Sequence, residues 1–303
     1  MVEIASLPFV ARPPGDPDGV LAAARLAAGR WGLGEPVLLR TGMNALFDAG
    51  DEVVLRVGRP TADPRAAVWL AAWLTERGLR VPVVVEPEPI VVGELAVIAQ
   101  RREVSVGEID WSAVGAMVAR LHAVDDAAID EVSRHHPTPW CGSFPWWDFD
   151  ALLSDVGPSL DPAARAGIDA ALGRLGAWPE LVTDRVLCHG DVHPGNVLQT
   201  ADGPVLLDWD LLSLGPPAWD HGPLLDWTTR WGGAPGVYER FADGYGQSFR
   251  GDPLAEALAE LRLVAATLMR VRAGRTDPAA EEEAERRLRY WRGDPDAPPW
   301  HAA

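Results

Sequence analysis

The sequence predicts an α+β chain in two lobes, a small lobe of mixed sheet plus helix and a larger, mainly helical one. Three observations predict it. Up to about residue 100, short apolar runs alternate with Gly- and Pro-marked turns. From about Val104 onward, apolar residues recur at helical spacing. Late in the chain, two short apolar runs, residues 186–188 and 205–207, each lead into a polar loop, a common seat of reactive groups. At 303 residues and 48% hydrophobic composition, the chain can bury a sizeable core and is long enough for two lobes. The expected join lies near residues 100 to 104.

Taken in order, an Ala-rich helix spans Val20 to Arg30, bounded by Pro and Gly. Val37 to Arg40 reads as a strand, Thr41-Gly42-Met43-Asn44 as a turn, and Glu52 to Val57 as the next strand. Val53, Leu55 and Val57 share one face of that strand, Val54 and Arg56 the other. Pro64 precedes a helix from Arg65 to Arg77, with Val68, Trp69, Ala72 and Trp73 at helical spacing and Gly78 as its stop. Strands are expected at Val81 to Val85 and Glu94 to Ala99. Trp111 to Val124 is an amphipathic helix, and His135 to Asp150 an aromatic loop, either a lid or a packed connection. Leu160 to Leu175 reads as helix, Val186 to Cys188 and Val205 to Leu207 as strands, and the chain from Pro217 on as helices.

All 27 Lys+Arg residues are arginine. A P-loop needs its lysine, so that type of nucleotide site is excluded. Schiff-base chemistry is excluded for the same reason. Any phosphate clamp must use arginine or backbone N–H groups. The formal net charge of −17 argues against nucleic acid and anionic membranes as partners; it would draw in a cationic small molecule, or it serves plain surface solubility. Cys141 and Cys188 match no zinc or redox spacing, which excludes a disulfide scaffold as organising principle. Met1-Val2-Glu3-Ile4 lacks a basic segment leading into an apolar run, and no stretch is apolar for long enough to span a bilayer. A cytoplasmic location is expected.

The chemistry is concentrated in two segments, Leu187-Cys188-His189-Gly190-Asp191-Val192-His193-Pro194-Gly195-Asn196 and Leu206-Leu207-Asp208-Trp209-Asp210. Phosphoryl transfer asks for a carboxylate that orients the attacking hydroxyl and for oxygen ligands that hold a divalent ion against the phosphates. A protein-kinase catalytic loop has His two residues before its Asp and Asn five residues after it. His189 and Asn196 stand at those distances from Asp191, and Asp208 follows at the end of a later strand.

His-Gly-Asp-x-His-x-x-Asn followed by Asp-Trp-Asp resembles the aminoglycoside phosphotransferase and choline kinase family. The Val54-Leu55-Arg56-Val57 strand, the helix ending Ala119-Arg120-Leu121-His122-Ala123 and the Pro217-Ala218-Trp219-Asp220 segment extend the resemblance over most of the chain. It implies a bilobal protein-kinase-like fold and a small-molecule kinase. The implied reaction is transfer of the γ-phosphoryl group of ATP or GTP, with Mg²⁺, to a hydroxyl of a small acceptor. That acceptor could be an aminoglycoside, a macrolide, a peptide antibiotic or a metabolite. Two alternatives stand beside it: a housekeeping kinase for choline, homoserine or a sugar, and a nucleotide-binding pseudokinase that regulates a partner.

By the same resemblance, Asp191 is the catalytic base or hydroxyl-orienting group, and Asn196 and Asp208 hold the metal. His189 and His193 brace the loop, and Asp220 supports it from below. A zinc site built from Cys188, His189, Asp191 and His193 would leave Asn196 unexplained. Asp210 is either a third metal neighbour or a fold anchor. Arg56 stands where kinases carry a lysine, and its guanidinium can bridge two phosphate oxygens. Gly42 and Asn44 belong to the turn over the phosphates, Gly42 allowing close approach and Asn44 tolerating a left-handed backbone. Ile98 to Arg101 is the expected adenine hinge.

One departure stands out. The family usually carries a Glu on the small-lobe helix to pair with the strand cation. That place falls near Ala67, and Glu76 lies close to the helix end. Arg56 therefore has another carboxylate or no partner. On the acceptor side, Asp226, Trp227, Trp231 and Glu239 are expected lining residues suited to an amine, unless the Trp rings are core. Glu281-Glu282-Glu283 and Glu285, ahead of Arg286, Arg287 and Arg289, read as a solvated helix face with i to i+4 ion pairs.

Overall fold

A computed structural model describes residues 13–301, so the N-terminal segment Met1-Val2-Glu3-Ile4 lies outside the described residues. In chain order the regular elements begin with α1 (Pro17–Trp31), β1 (Val37–Thr41), β2 (Ala45–Asp48), β3 (Val53–Gly58), α2 (Pro64–Glu76), β4 (Ile90–Val92) and β5 (Leu95–Arg101). They continue with α3 (Trp111–His122), α4 (Asp126–His135), α5 (Phe149–Val156), α6 (Pro162–Leu175), β6 (Val186–Cys188), β7 (Val197–Thr200), β8 (Gly203–Leu206) and β9 (Ser213–Gly215). The last are α7 (Ala218–Leu225), α8 (Trp227–Arg230), α9 (Val237–Tyr245), α10 (Pro253–Ala273) and α11 (Pro278–Trp291). The class is α+β, as expected.

Contacts divide the chain into two units, and the polypeptide passes from one to the other several times. The first holds the described residues up to Asp110, then Val124–Thr138 and Pro194–Leu211; the second holds Trp111–Ala123, Pro139–His193 and the chain from Leu212 on. Residues 106–110 stay with the first unit because they are tied to β7. The Val106 N–H donates to the Gln199 carbonyl at 2.8 Å, and the Asp110 N–H to the Gln199 side chain at 2.9 Å.

The first unit is built on a five-stranded antiparallel sheet in the order β1-β2-β3-β5-β4. In central β3 the period-2 alternation works as the sequence predicts. Val53, Leu55 and Val57 are buried, while Val54 and Arg56 on the opposite face are half-buried. The buried face packs on α1, whose Ala23, Ala24, Ala27 and Ala28 let the helix approach Phe47, Leu55 and Val97 closely. Burying each large side chain contributes about 1.5–3 kcal/mol, so this face fixes the register that puts Arg56 on the other side.

One expectation in this unit is corrected, and some elements were not anticipated. Val81 to Val85 is not a strand: only Val84 forms an isolated bridge, to Gln100, because Pro82 lacks the N–H a ladder needs. The fifth strand is instead the three-residue β4. Strands β2 and β7 were not anticipated, since four residues offer too little alternation to detect. Nor was α4, whose single buried residue is Val132. It is anchored by Glu131, which accepts from Trp73 Nε1 at 2.8 Å and pairs with Arg77 at 3.0 Å.

The second unit is organised around α10, a 21-residue helix with Ala255, Leu258, Leu261, Val264 and Leu268 all buried. It packs on α5, α6, α7 and α11. Strand β6 pairs antiparallel with β9, Leu187 opposite Leu214. The aromatic segment is a packed connection and not a lid. Phe144 is 1% and Trp147 5% exposed, and the Trp147 ring meets Trp178 and Trp219 edge-on. The α11 face is likewise not wholly solvated. Glu283 and Arg287 are buried and paired at 2.9 Å, and Arg287 also donates to the Ala266 and His301 carbonyls. Those carbonyls give the buried guanidinium the hydrogen bonds it needs. No helix among the described residues is long and apolar enough to cross a membrane.

Candidate active site

The loop expected to carry the catalytic carboxylate begins where β6 ends, in the second unit. Gly190 has φ +93, a left-handed conformation that an L side chain rarely adopts, and it turns the chain sharply toward Asp191. The loop is held from beneath by Asp220 of α7, a fully buried carboxylate. Its Oδ2 accepts the His189 N–H at 2.8 Å and its Oδ1 the Gly190 N–H at 2.7 Å, while His122 Nε2 lies 3.0 Å from Oδ2. Burial pushes the Asp220 pKa up, but the bond and charge of His122, with His189 beyond, outweigh it and hold it below the ordinary value. His189 braces the loop as well, its Nδ1 accepting the Asp191 N–H at 3.2 Å.

Asp191 lies between two basic side chains. His193 Nε2 is 3.3 Å from Oδ2, and Arg262 Nη1 is 3.4 Å from Oδ1. Arg262 also donates from Nη2 to the Gly190 carbonyl, and its guanidinium lies 4.9 Å from the Trp219 ring centroid and 5.3 Å from that of Trp146. Burial works to raise the Asp191 pKa. The hydrogen bond and charge of His193 come next, followed by Arg262 and His189, and together they hold the group well below the usual carboxylate range. The result is a carboxylate favoured in its ionised form, able to accept a hydrogen bond from a hydroxyl. Sequence reasoning missed Arg262, which sits in the middle of α10 with no motif to mark it.

The metal-ligand candidates lie in the first unit. Hairpin β7–β8 pairs Val197 with Leu206, and the Leu207 N–H donates to the Asn196 carbonyl at 2.8 Å, so Asn196 and Asp208 flank one hairpin end. Asp208 has φ +55, a sparsely populated backbone for a non-glycine residue. The following turn is fixed by Trp209, whose Nε1 donates to the Leu206 carbonyl at 2.9 Å. Among the described residues, one group has the spacing of a metal cage: His122, Cys188 and Asp220. It is a poor one, since Asp220 is committed to the loop, and burial, then the Asp220 charge, raise the Cys188 thiol well above its ordinary pKa.

Arg56 and Asn44 line one pocket together with Ile98, Ala67, His136 and Asp210. Arg56 Nη2 is 2.5 Å from Asp210 Oδ2 and 3.5 Å from Asp208 Oδ1. Arg56 therefore has a carboxylate partner, Asp210, and it comes from the metal-motif turn. Glu76 is exposed on the last turn of α2. One detail of the turn expected over the phosphates differs from expectation. Asn44 does not take a left-handed backbone. Its side chain instead lies on Gly58, where an added Cβ would meet Asn44 Oδ1 at 1.9 Å, so a larger residue there would displace the Asn44 amide. Gly42 faces open space and its φ is not in the left-handed region, so nothing in the local backbone demands glycine.

Of the expected acceptor-side residues, Trp227 stacks on His193 with centroids 6.4 Å apart, and Trp231 stacks on Trp227 at 6.3 Å. Asp226 begins that segment. Burial, and then the Glu256 charge, raise its pKa. Glu239 is spent on a surface pair with Arg250 at 2.9 Å.

A family model described as the phosphotransferase enzyme family matches residues 44–264. The chain belongs to that family and is a small-molecule kinase with the protein-kinase-like fold. No curated protein sequence matches it significantly. Solved structures share the fold. Macrolide 2'-phosphotransferase MphH from Brachybacterium faecium, an apoenzyme, is 24% identical, covers 88% of this chain and 97% of its own, and superposes with a TM-score of 0.57. A choline/ethanolamine kinase family protein from Mesorhizobium loti is 19% identical over 92% of this chain and 93% of its own, with a TM-score of 0.61. Amicoumacin kinase hAmiN, in complex with AMP-PNP, Ca²⁺ and Ami, is 15% identical over 95% and 96%, with a TM-score of 0.63.

Proposed function

We propose that this chain transfers the γ-phosphoryl group of ATP or GTP to a hydroxyl of a small, amine-bearing acceptor. The observation that carries the reading is Asp191, held ionised against His193 and Arg262 on a loop braced by Asp220. A carboxylate so poised orients a hydroxyl for attack and accepts its proton as the bond to phosphorus forms. Residues up to about 100 form the nucleotide-binding lobe, and the remainder the catalytic and acceptor-binding lobe. Arg56 and Asn44, with the Gly42 turn, meet the nucleotide phosphates. The donor set of Asn196 and Asp208 is all oxygen, which suits Mg²⁺. When bound, that ion would neutralise charge on the β- and γ-phosphates. The work is cytoplasmic, with neither nucleic acid nor membrane as partner.

Support for the acceptor class comes from Trp227, stacked on His193 and Trp231, with Asp226 its neighbour in the chain. Aromatic faces and a carboxylate attract an ammonium group. An aminoglycoside or other cationic antibiotic fits this chemistry. So does a small amino alcohol, a second reading supported by the likeness to the choline/ethanolamine kinase family protein.

Thermal shift with MgATP and MgGTP, followed by a transfer assay over cationic antibiotics and amino alcohols, tests the proposal. A nucleotide-dependent rise in melting temperature and an acceptor phosphorylated by wild type but not by Asp191→Ala are expected. Arg56→Ala should mainly weaken nucleotide binding. Phosphorylation that survives Asp191→Ala undiminished would remove the catalytic assignment.

A further inference from the structure

The β3 guanidinium meets its counter-charge in an unexpected place. Position 67 of α2 lines the pocket that Arg56 enters, but it is alanine. Asp63, the pocket's other carboxylate besides Asp210, accepts the Arg65 N–H at 2.9 Å as the cap of α2. Arg59, the pocket's second cation, has its own partner in Glu94 at 2.8 Å. Asp210 alone makes close contact with Arg56, at 2.5 Å, and its turn is pinned by the Trp209 indole. Asp208 stands farther off, at 3.5 Å.

We infer that Asp210 is the positioning residue for Arg56, holding the guanidinium in the pocket so that it meets the phosphates of a nucleotide. This assignment rests on Arg56 being the phosphate-facing cation, as proposed above. Three features support it. Both carboxylates are met through Nη2, and the guanidinium has further N–H donors on Nε and Nη1 that can each meet a phosphate oxygen. Arg56 is one of the longer, rotamer-rich side chains, and a fixed partner lowers the cost of ordering it on binding. Asp210 projects from the same short turn as Asp208, so one rigid segment sets both a candidate metal ligand and the phosphate cation. Asp210 thereby acts through Arg56 and is not itself a ligand of the nucleotide.

The test is calorimetric titration of MgATP and MgGTP, repeated with metal-free nucleotide in EDTA, into wild type, R56A, D210N, D210E, A67E and D210N/A67E. Melting curves establish that each variant is folded. D210N should weaken nucleotide binding about tenfold, with metal and without it. D210E, which keeps the charge, should bind more tightly than D210N. A glutamate at position 67 reaches the same pocket from α2, so D210N/A67E should recover most of the loss, a rescue that a merely structural role for Asp210 would not give. Weakened binding in D210N only when Mg²⁺ is present would make Asp210 a metal ligand and overturn the inference. So would wild-type affinity in D210N alongside weak binding in R56A. Wild-type affinity in R56A itself would remove the phosphate role of Arg56, and the inference with it.

Discussion

At Asp191 a carboxylate lies against two basic side chains, His193 and Arg262; at Arg56 a guanidinium lies against two carboxylates, Asp210 and Asp208. The two regions are mirror images in charge. On the proposed roles, the group that would meet a neutral hydroxyl is kept ionised by cations, and the group that would meet polyanionic phosphate is fixed by anions. The supports differ in depth as well. Asp191 rests on Asp220, which is fully buried, whereas the Arg56 partners are about 40% exposed. Solvent therefore screens the second arrangement more, and its contribution is to placement rather than to global stability.

Changes to the proposed catalytic carboxylate and the candidate metal ligand probe this contrast hardest. Asp191→Asn and Asp208→Ala should each lower transfer about a thousandfold in single-turnover measurements, with little loss of melting temperature. Unchanged turnover in Asp208→Ala would refute its metal role. Asp220→Asn should do the reverse in part, lowering stability by about 2–4 kcal/mol in denaturant titration. Its new amide would face one of the two loop N–H groups that the carboxylate now accepts. Wild-type stability in that variant would mean the loop does not depend on its buried brace.

Arg262→Met should cost about tenfold in rate and move the acid limb of the pH–rate profile upward. The sign follows from the pair: Arg262 helps hold Asp191 below its ordinary value, so removing it lets the carboxyl protonate at higher pH. A lower rate with an unmoved limb would reduce Arg262 to packing. The smallest effect is expected at His221. Burial, then the His122 charge, lower its pKa from 6.5 to about 3. The unfolded chain takes up that proton first, so the stabilising contribution is complete above pH 6.5 and is lost as pH falls toward 3. His221→Phe, among Phe241, Tyr245 and Phe249, should flatten the melting-temperature profile across that range. Asp191 and Asp220, both lowered, lose their contributions only as pH falls through the carboxylate range below about 4, and so remain in the variant.

Much of this was legible in the sequence because the informative features are local. The β3 alternation, the helix at Trp111 and the motif spacing around Asp191 depend on neighbours within a few residues. What escaped depends on distance along the chain. Arg56 and Asp210 are 154 residues apart, and Arg262 and Asp191 are 71 apart. No periodicity joins such pairs. The α11 charges misled for a related reason: their i to i+4 pattern is the same whether the face meets water or, as at Glu283 and Arg287, is buried. Asp220 was legible only through family resemblance, since nothing in Trp219-Asp220-His221 announces a carboxylate beneath a loop.

The arginine on β3 also has a practical corollary for chemical proteomics. Nucleotide probes that label kinases by acylating a side-chain amine at the phosphate site find no such nucleophile in a chain without lysine. Occupancy of this pocket would have to be followed with guanidine-selective dicarbonyl reagents. With only 20% of the Arg56 side chain accessible, protection by bound nucleotide would be read against the many faster-reacting surface arginines.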